Sequence, residues 1–293
     1  MLGHQTTTLR NPSSLGEIAA AYDIVLCDVW GVIHNGVASF PQACAALERF
    51  RRERGPVVLI SNSPRPHPAV LPSLRALGVP DTAWDAFVTS GDATRAALAS
   101  LAPGPAWAIG PERDLVLYEG LGLAFTGPKD AAFISCTGPV DDEVETPEDY
   151  RERLALCAAR GLTMICANPD KVVQRGERLI YCGGALADLY AGLGGAVVMA
   201  GKPYAPIYAL SLAQAARLVG RPVDPARVLC IGDGLPTDVL GAQNQGLDCL
   251  FVASGIHGAE IVGADGALDP ARAGALLEAG GTHAAYAMTA LVW

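Results

Sequence analysis

The chain has 293 residues, 51% of them hydrophobic, and a formal net charge of −9 at pH 7. That length and composition suit a folded protein with a sizeable core and exclude a disordered or fibrous one. The acidic balance argues against nucleic acid or an anionic membrane as partner, because both demand a basic footprint.

Short apolar runs alternate with stretches of helical period along most of the chain. "IVLCDVW" (24–30) reads as a buried strand and precedes the helical "PQACAALERFRRER" (41–54). "VVLISNS" (57–63) precedes "PHPAVLPSLRALG" (66–78), and "FVTSGD" (87–92) runs into "ATRAALASL" (93–101). "AWAIG" (106–110), "AAFISC" (131–136) and "LTMICAN" (162–168) follow, with "TPEDYRERLALCAARG" (146–161) between the last two. In that segment Thr146 and Asp149 have the spacing of a helix start. "GG" at Gly183 is read as the opening of a helix. Near the C-terminal third, "VVMAGKP" (197–203) precedes "APIYALSLAQAARLVG" (205–220), and "RVLCIGDG" (227–234) precedes "PTDVLGAQNQG" (236–246).

Strand–helix alternation with nearly all-apolar strands predicts an α/β fold, a doubly wound parallel sheet covered on both faces. Ligands of such sheets gather beyond the carboxyl ends of the strands. Four runs end in a polar or charged residue: Asp28, Ser61, Lys202 and Asp233. The expectation is that all four strands lie in one open sheet and that their ends converge. The wide gap between Ser61 and Lys202 predicts an insertion. Residues 89–195 are read as a smaller α/β domain set into a core of residues 1–88 and 196–293.

The eight cysteines form no Cys-x-x-Cys pair and fall largely in strand-like runs, so core packing is expected rather than a disulfide framework. The first residues, "MLGHQTTTLRNPSS", lack the basic and apolar regions of a signal peptide. The most apolar stretch, Gly183 to Gly201, is interrupted by Asp188 and by glycines. A soluble cytoplasmic protein is the expectation.

"DVWGVIHNG" (28–36), "LISNSPR" (59–65), "GKP" (201–203) and "GDGLPTD" (232–238), in this order, resemble the four motifs of the haloacid dehalogenase superfamily. The large insertion between the second and third motifs, together with "GDGLPTD", resembles its subclass IIA. That group contains phosphatases of 4-nitrophenyl phosphate, pyridoxal phosphate and nucleotide or sugar phosphates. The resemblance runs from about Tyr22 to Val252. It implies a Rossmann-like core with an inserted cap domain, a small phosphorylated metabolite as substrate, and a homodimer formed through the cap.

The resemblance also implies site residues. Asp28 would be the nucleophile, forming an aspartyl-phosphate. Asp28, Asp233 and the backbone carbonyl of Trp30 would hold Mg²⁺, with Asp238 supporting it through water or orienting Lys202. Lys202 would offset the substrate charge and the Ser61 hydroxyl would bind a phosphate oxygen. Backbone amides around Trp30, Gly31 and Asn62 would cradle the phosphoryl group. In "CANPDK" (166–171), Asn168 and Asp170 match a stretch common in such caps and are set against a plain turn. Arg65 is read either as an anion contact or as a solvated arginine.

One position departs from the family. Two residues after the nucleophile, such phosphatases usually carry a second Asp as general acid and base, and here that residue is Trp30. Indole has no acid–base chemistry near neutral pH. Three readings stay open: a working phosphatase for good leaving groups or with an acid from elsewhere, a weak or inactive form that binds a phosphorylated ligand, and a dehalogenase. His34, on the flap after the nucleophile, is the nearest replacement acid, set against a surface-loop histidine. Intact Asp233 and Asp238 argue against the dehalogenase.

Overall fold

The computed structural model describes residues 9–175, 178–253, 261–263 and 266–293. The chain divides into two compact units. One is Met1–Ile60, Ser73–Phe87 and Tyr208–Trp293; the other is Ser61–Pro72 and Val88–Ile207.

The first unit is organised by β1 (Ile24–Asp28), whose five residues are all buried. It pairs in parallel with β2 (Val57–Ser61) on one side and β10 (Val228–Gly232) on the other. Adding β3 (Ala86–Thr89), β11 (Asp248–Val252) and β12 (Tyr286–Met288), the sheet order is β12-β11-β10-β1-β2-β3. Continuous apolar runs suit interior strands of a parallel sheet, where both faces are covered. Helices Pro41–Glu53, Leu240–Gln245 and Pro270–Ala279 belong to this unit. In the first of them Cys44, Leu47 and Phe50 recur at helical spacing and are buried, which is why the segment folds as an amphipathic helix.

The second unit has its own four-stranded parallel sheet: β4 (Ala106–Ile109), β5 (Phe133–Cys136), β6 (Thr163–Cys166) and β9 (Ala196–Met199), in that order. A separate antiparallel hairpin joins β7 (Val172–Arg175) to β8 (Arg178–Tyr181). The core beside the sheet includes Trp107, Tyr150, Leu154, Leu186 and Tyr190. Thr146 and Asp149 form a reciprocal capping box, as their spacing predicts, just ahead of helix Arg151–Ala159. Thr89 and Asp92 form another at the start of helix Ser90–Ala99. Gly183 opens helix Gly183–Gly192, again as predicted.

One expectation is corrected. The strand before Lys202 does not join β1, β2 and β10. Thr163 to Cys166 pair residue by residue with Ala196 to Met199, so β9 is an edge of the four-stranded sheet. It lies beyond the 89–195 span read from sequence as the insertion. Its burial alternates between exposed and intermediate, unlike the fully buried β1 and β10. An apolar run alone does not distinguish an edge strand from an interior one.

All eight cysteines are buried and none is in a disulfide. Among the described residues no helix is long and apolar enough to cross a membrane.

Candidate active site

The carboxyl ends of β1 and β10 carry Asp28 and, one residue past the strand, Asp233. Asp238 follows in the first turn ahead of helix Leu240–Gln245. One oxygen from each of the three carboxylates lies within 4.8 Å of the others, and each side chain is 5% exposed. Two unit charges about 5 Å apart repel by roughly 3 kcal/mol even at an effective dielectric of about 20. Three buried carboxylates at such spacing could together hold a metal ion. All three donors are hard oxygens, the set that suits Mg²⁺ rather than a soft metal. The residues present therefore fit the ion that the motifs imply.

Local geometry fixes two of these carboxylates. Gly31 has φ +83°, and a Cβ there would stand 2.1 Å from Asp233 Oδ2. Only glycine lets that carboxylate rest against the turn after β1. Asp238 Oδ2 accepts the Gly234 amide at 3.1 Å and the Thr237 hydroxyl at 3.2 Å. "GDGLPTD" thus orients its own last residue.

Trp30 follows Asp28 by two residues and is held on two sides. Its ring meets the His34 ring edge to face, centroids 5.1 Å apart. Gly36, at φ +83°, lies so close that a Cβ would stand 2.5 Å from Trp30 Cη2. The Gly31 amide donates to the His34 carbonyl at 2.8 Å, closing the loop beneath the indole. His34 is not a surface histidine: it is 3% exposed. Burial pushes its pKa down to about 4, and its Nδ1 accepts the Gly36 amide at 3.0 Å. At neutral pH it is an uncharged ring with its hydrogen on Nε2.

Ser61, Asn62 and Lys202 fall in the second unit. Asn62 and Lys202 are buried. Asn62 Oδ1 accepts the Lys202 amide at 2.7 Å, while Asn62 Nδ2 donates to the Lys202 carbonyl at 3.1 Å and to Asp170 Oδ1 at 2.8 Å. The sequence marks Asn62 for its backbone amide; its side chain, which ties "SNS" to "GKP" and "NPD", carries no local signal. Ser61 Oγ accepts the Ser63 amide at 3.2 Å. Asn168 Oδ1 accepts the Asp170 amide at 3.2 Å, a local turn, and leaves the Asp170 carboxylate for Asn62. Arg65 Nε stands 3.9 Å from Asp114 Oδ1, and burial pushes the Asp114 carboxyl up.

Comparison with known proteins agrees with this geometry. A family model described as haloacid dehalogenase-like hydrolase matches residues 25–124, and a HAD-hydrolase-like model matches 199–275. A crystal structure of a haloacid dehalogenase-like hydrolase from Brucella suis superposes with a TM-score of 0.85 at 46% identity, covering 96% of this chain and 100% of that one. The 5'-nucleotidase YutF of Bacillus subtilis is 26% identical over 239 residues, 80% of this chain and 88% of that protein. The glycerol-3-phosphate phosphatase of Gallus gallus is 29% identical over 275 residues, 84% of each chain. On these matches and its motifs, the chain belongs to the haloacid dehalogenase-like hydrolases, subclass IIA.

Proposed function

We propose that the chain is a Mg²⁺-dependent phosphatase that hydrolyses a small phosphate monoester through an aspartyl-phosphate on Asp28. Family membership supports a hydrolase of phosphate esters, and the relatives named above are a 5'-nucleotidase and a glycerol-3-phosphate phosphatase. The observation that carries the reading is the buried cluster of Asp28, Asp233 and Asp238.

Asp28 and Asp233 would hold the ion with the Trp30 carbonyl, and Asp238 would support it through water. When bound, the ion neutralises charge between an attacking carboxylate and a phosphate dianion. Asp28 attacks phosphorus and the ester oxygen departs; water then releases phosphate and restores the carboxylate. Gly31 keeps the turn tight enough for Asp233 to stay aligned. By the roles their motifs carry, Lys202 offsets the phosphate charge as a point cation, and Ser61 with the backbone amides of Gly31 and Asn62 binds its oxygens.

A second reading, a slow or inactive form that binds a phosphorylated ligand as a sensor, is favoured by Trp30 at the usual acid–base position. One assay separates the two. Release of 4-nitrophenolate from 4-nitrophenyl phosphate should require Mg²⁺ and vanish in Asp28→Asn. Mg²⁺ binding without turnover on a broad phosphate panel leaves the sensor reading in its place.

A further inference from the structure

We infer that this site takes phosphates whose leaving group departs as a stable anion, such as aryl phosphates, acyl phosphates or phosphoanhydrides, in preference to alkyl phosphates. The inference rests on the phosphatase reading above and names the substrate class of that same site.

The residues from Val29 to Ser39, "VWGVIHNGVAS", hold no carboxylate. Trp30 stands where a proton donor to the leaving oxygen is expected, and its ring is packed against the same loop. His34 abuts the ring on one side and Gly36 on another, at a closeness that leaves no room for a Cβ. The backbone beneath is pinned by the Gly31 to His34 hydrogen bond and by the Ile33 amide donating to the Val29 carbonyl at 3.0 Å. His34, the loop's one ionisable residue, is buried with Nδ1 taken by the Gly36 amide. The loop is therefore ordered around an indole that neither gives nor takes a proton.

The chemistry follows from that arrangement. In the first step an Asp28 oxygen forms a bond to phosphorus and the bond from phosphorus to the leaving oxygen breaks. That oxygen takes the electron pair and departs unprotonated, so the barrier rises with its basicity. General acid help is typically worth about 10²–10⁴ in rate. A phenolate, carboxylate or phosphate needs little of it, and an alkoxide needs all of it. In the second step water forms a bond to phosphorus, the bond to Asp28 breaks, and the proton lost by water stays on the departing phosphate. Dihydrogen phosphate leaves, later giving a proton to solvent, and the Asp28 carboxylate is restored.

The test is a graded series: 4-nitrophenyl, phenyl and methyl phosphate with wild-type protein and Mg²⁺. We expect kcat/KM to fall by about 10²-fold or more from the first to the last. Acid-quenched protein should show a phosphoryl adduct on Asp28 by intact mass and peptide mapping with 4-nitrophenyl phosphate and none with methyl phosphate. A smaller spread, or equal adduct from both, overturns the inference. Trp30→Asp should narrow the spread by restoring a proton donor; if that variant does not fold, the wild-type series decides alone. If 4-nitrophenolate is not released, or is released equally by Asp28→Asn, the phosphatase reading itself falls. A flat series with release that depends on Asp28 sinks only the leaving-group inference.

Discussion

Asn62 holds Lys202 by its main chain: the Lys202 amide donates to Asn62 Oδ1 at 2.7 Å and the Lys202 carbonyl accepts from Asn62 Nδ2 at 3.1 Å. The carboxamide acts as a short piece of strand, presenting one donor and one acceptor to a buried backbone. The lysine is placed by this pairing before its ammonium does anything.

Asn62→Ala removes both of these hydrogen bonds to the buried Lys202 backbone. Each lost hydrogen bond costs about 0.5–1.5 kcal/mol. Chemical denaturation should show a loss within that range or above it, and kcat/KM for 4-nitrophenyl phosphate should fall at least about tenfold because Lys202 shifts. A variant with wild-type kcat/KM would mean that the pairing does not position the lysine.

Gly31→Ala tests the turn after β1. A side chain at positive φ costs about 1–2 kcal/mol, and the new Cβ would collide with Asp233. The expected outcome is loss of Mg²⁺ affinity by isothermal titration and a fall in activity of about 10²-fold or more. Unchanged metal binding would show that Asp233 can move without consequence.

Mg²⁺ should raise the melting temperature, since the ion relieves repulsion among three buried carboxylates. At about 100 times its dissociation constant a ligand of the native state adds about 2.7 kcal/mol. Chelation should reverse the shift, and Asp233→Asn should abolish it. A shift of equal size in that variant would place the ion elsewhere.

Asp92 supplies a pH-dependent contribution in the second unit. Burial raises its carboxyl, but hydrogen bonds from His67 and Thr89 outweigh burial and hold the pKa below the usual value of 3.8. A carboxyl depressed on folding stabilises above its unfolded pKa, and that stability is lost as pH falls through the folded value. Asp92→Asn should therefore cost about 1 kcal/mol at neutral pH, the scale of a helix cap. The cost should shrink in strong acid. Urea melts across that range decide it; a cost that stays constant would show that the charge is irrelevant.

Asp28, Asp233 and Asp238 are legible in the sequence because their context is local: each ends an apolar run or begins the next helix. The capping box at Thr146 and Asp149 is legible for the same reason. The pairing of Asn62 with Lys202 spans 140 residues, and no spacing rule reaches that far. The partner of β9 is hidden likewise, since Ala196–Met199 reads equally well in either sheet until register is known. Strands β7 and β8 have four residues each, with Arg175 and Arg178 at the facing ends, and give no sustained alternation to detect. The close approach of Gly36 to Trp30 depends on a fold-back of the loop that residue types alone do not specify.

Strand β1 pairs on both sides and buries all five of its residues. Amides in such a strand exchange with solvent only when the whole unit opens. Asp28 therefore belongs to the last segment to deuterate, and the adjoining loop can be altered while its anchor keeps its place.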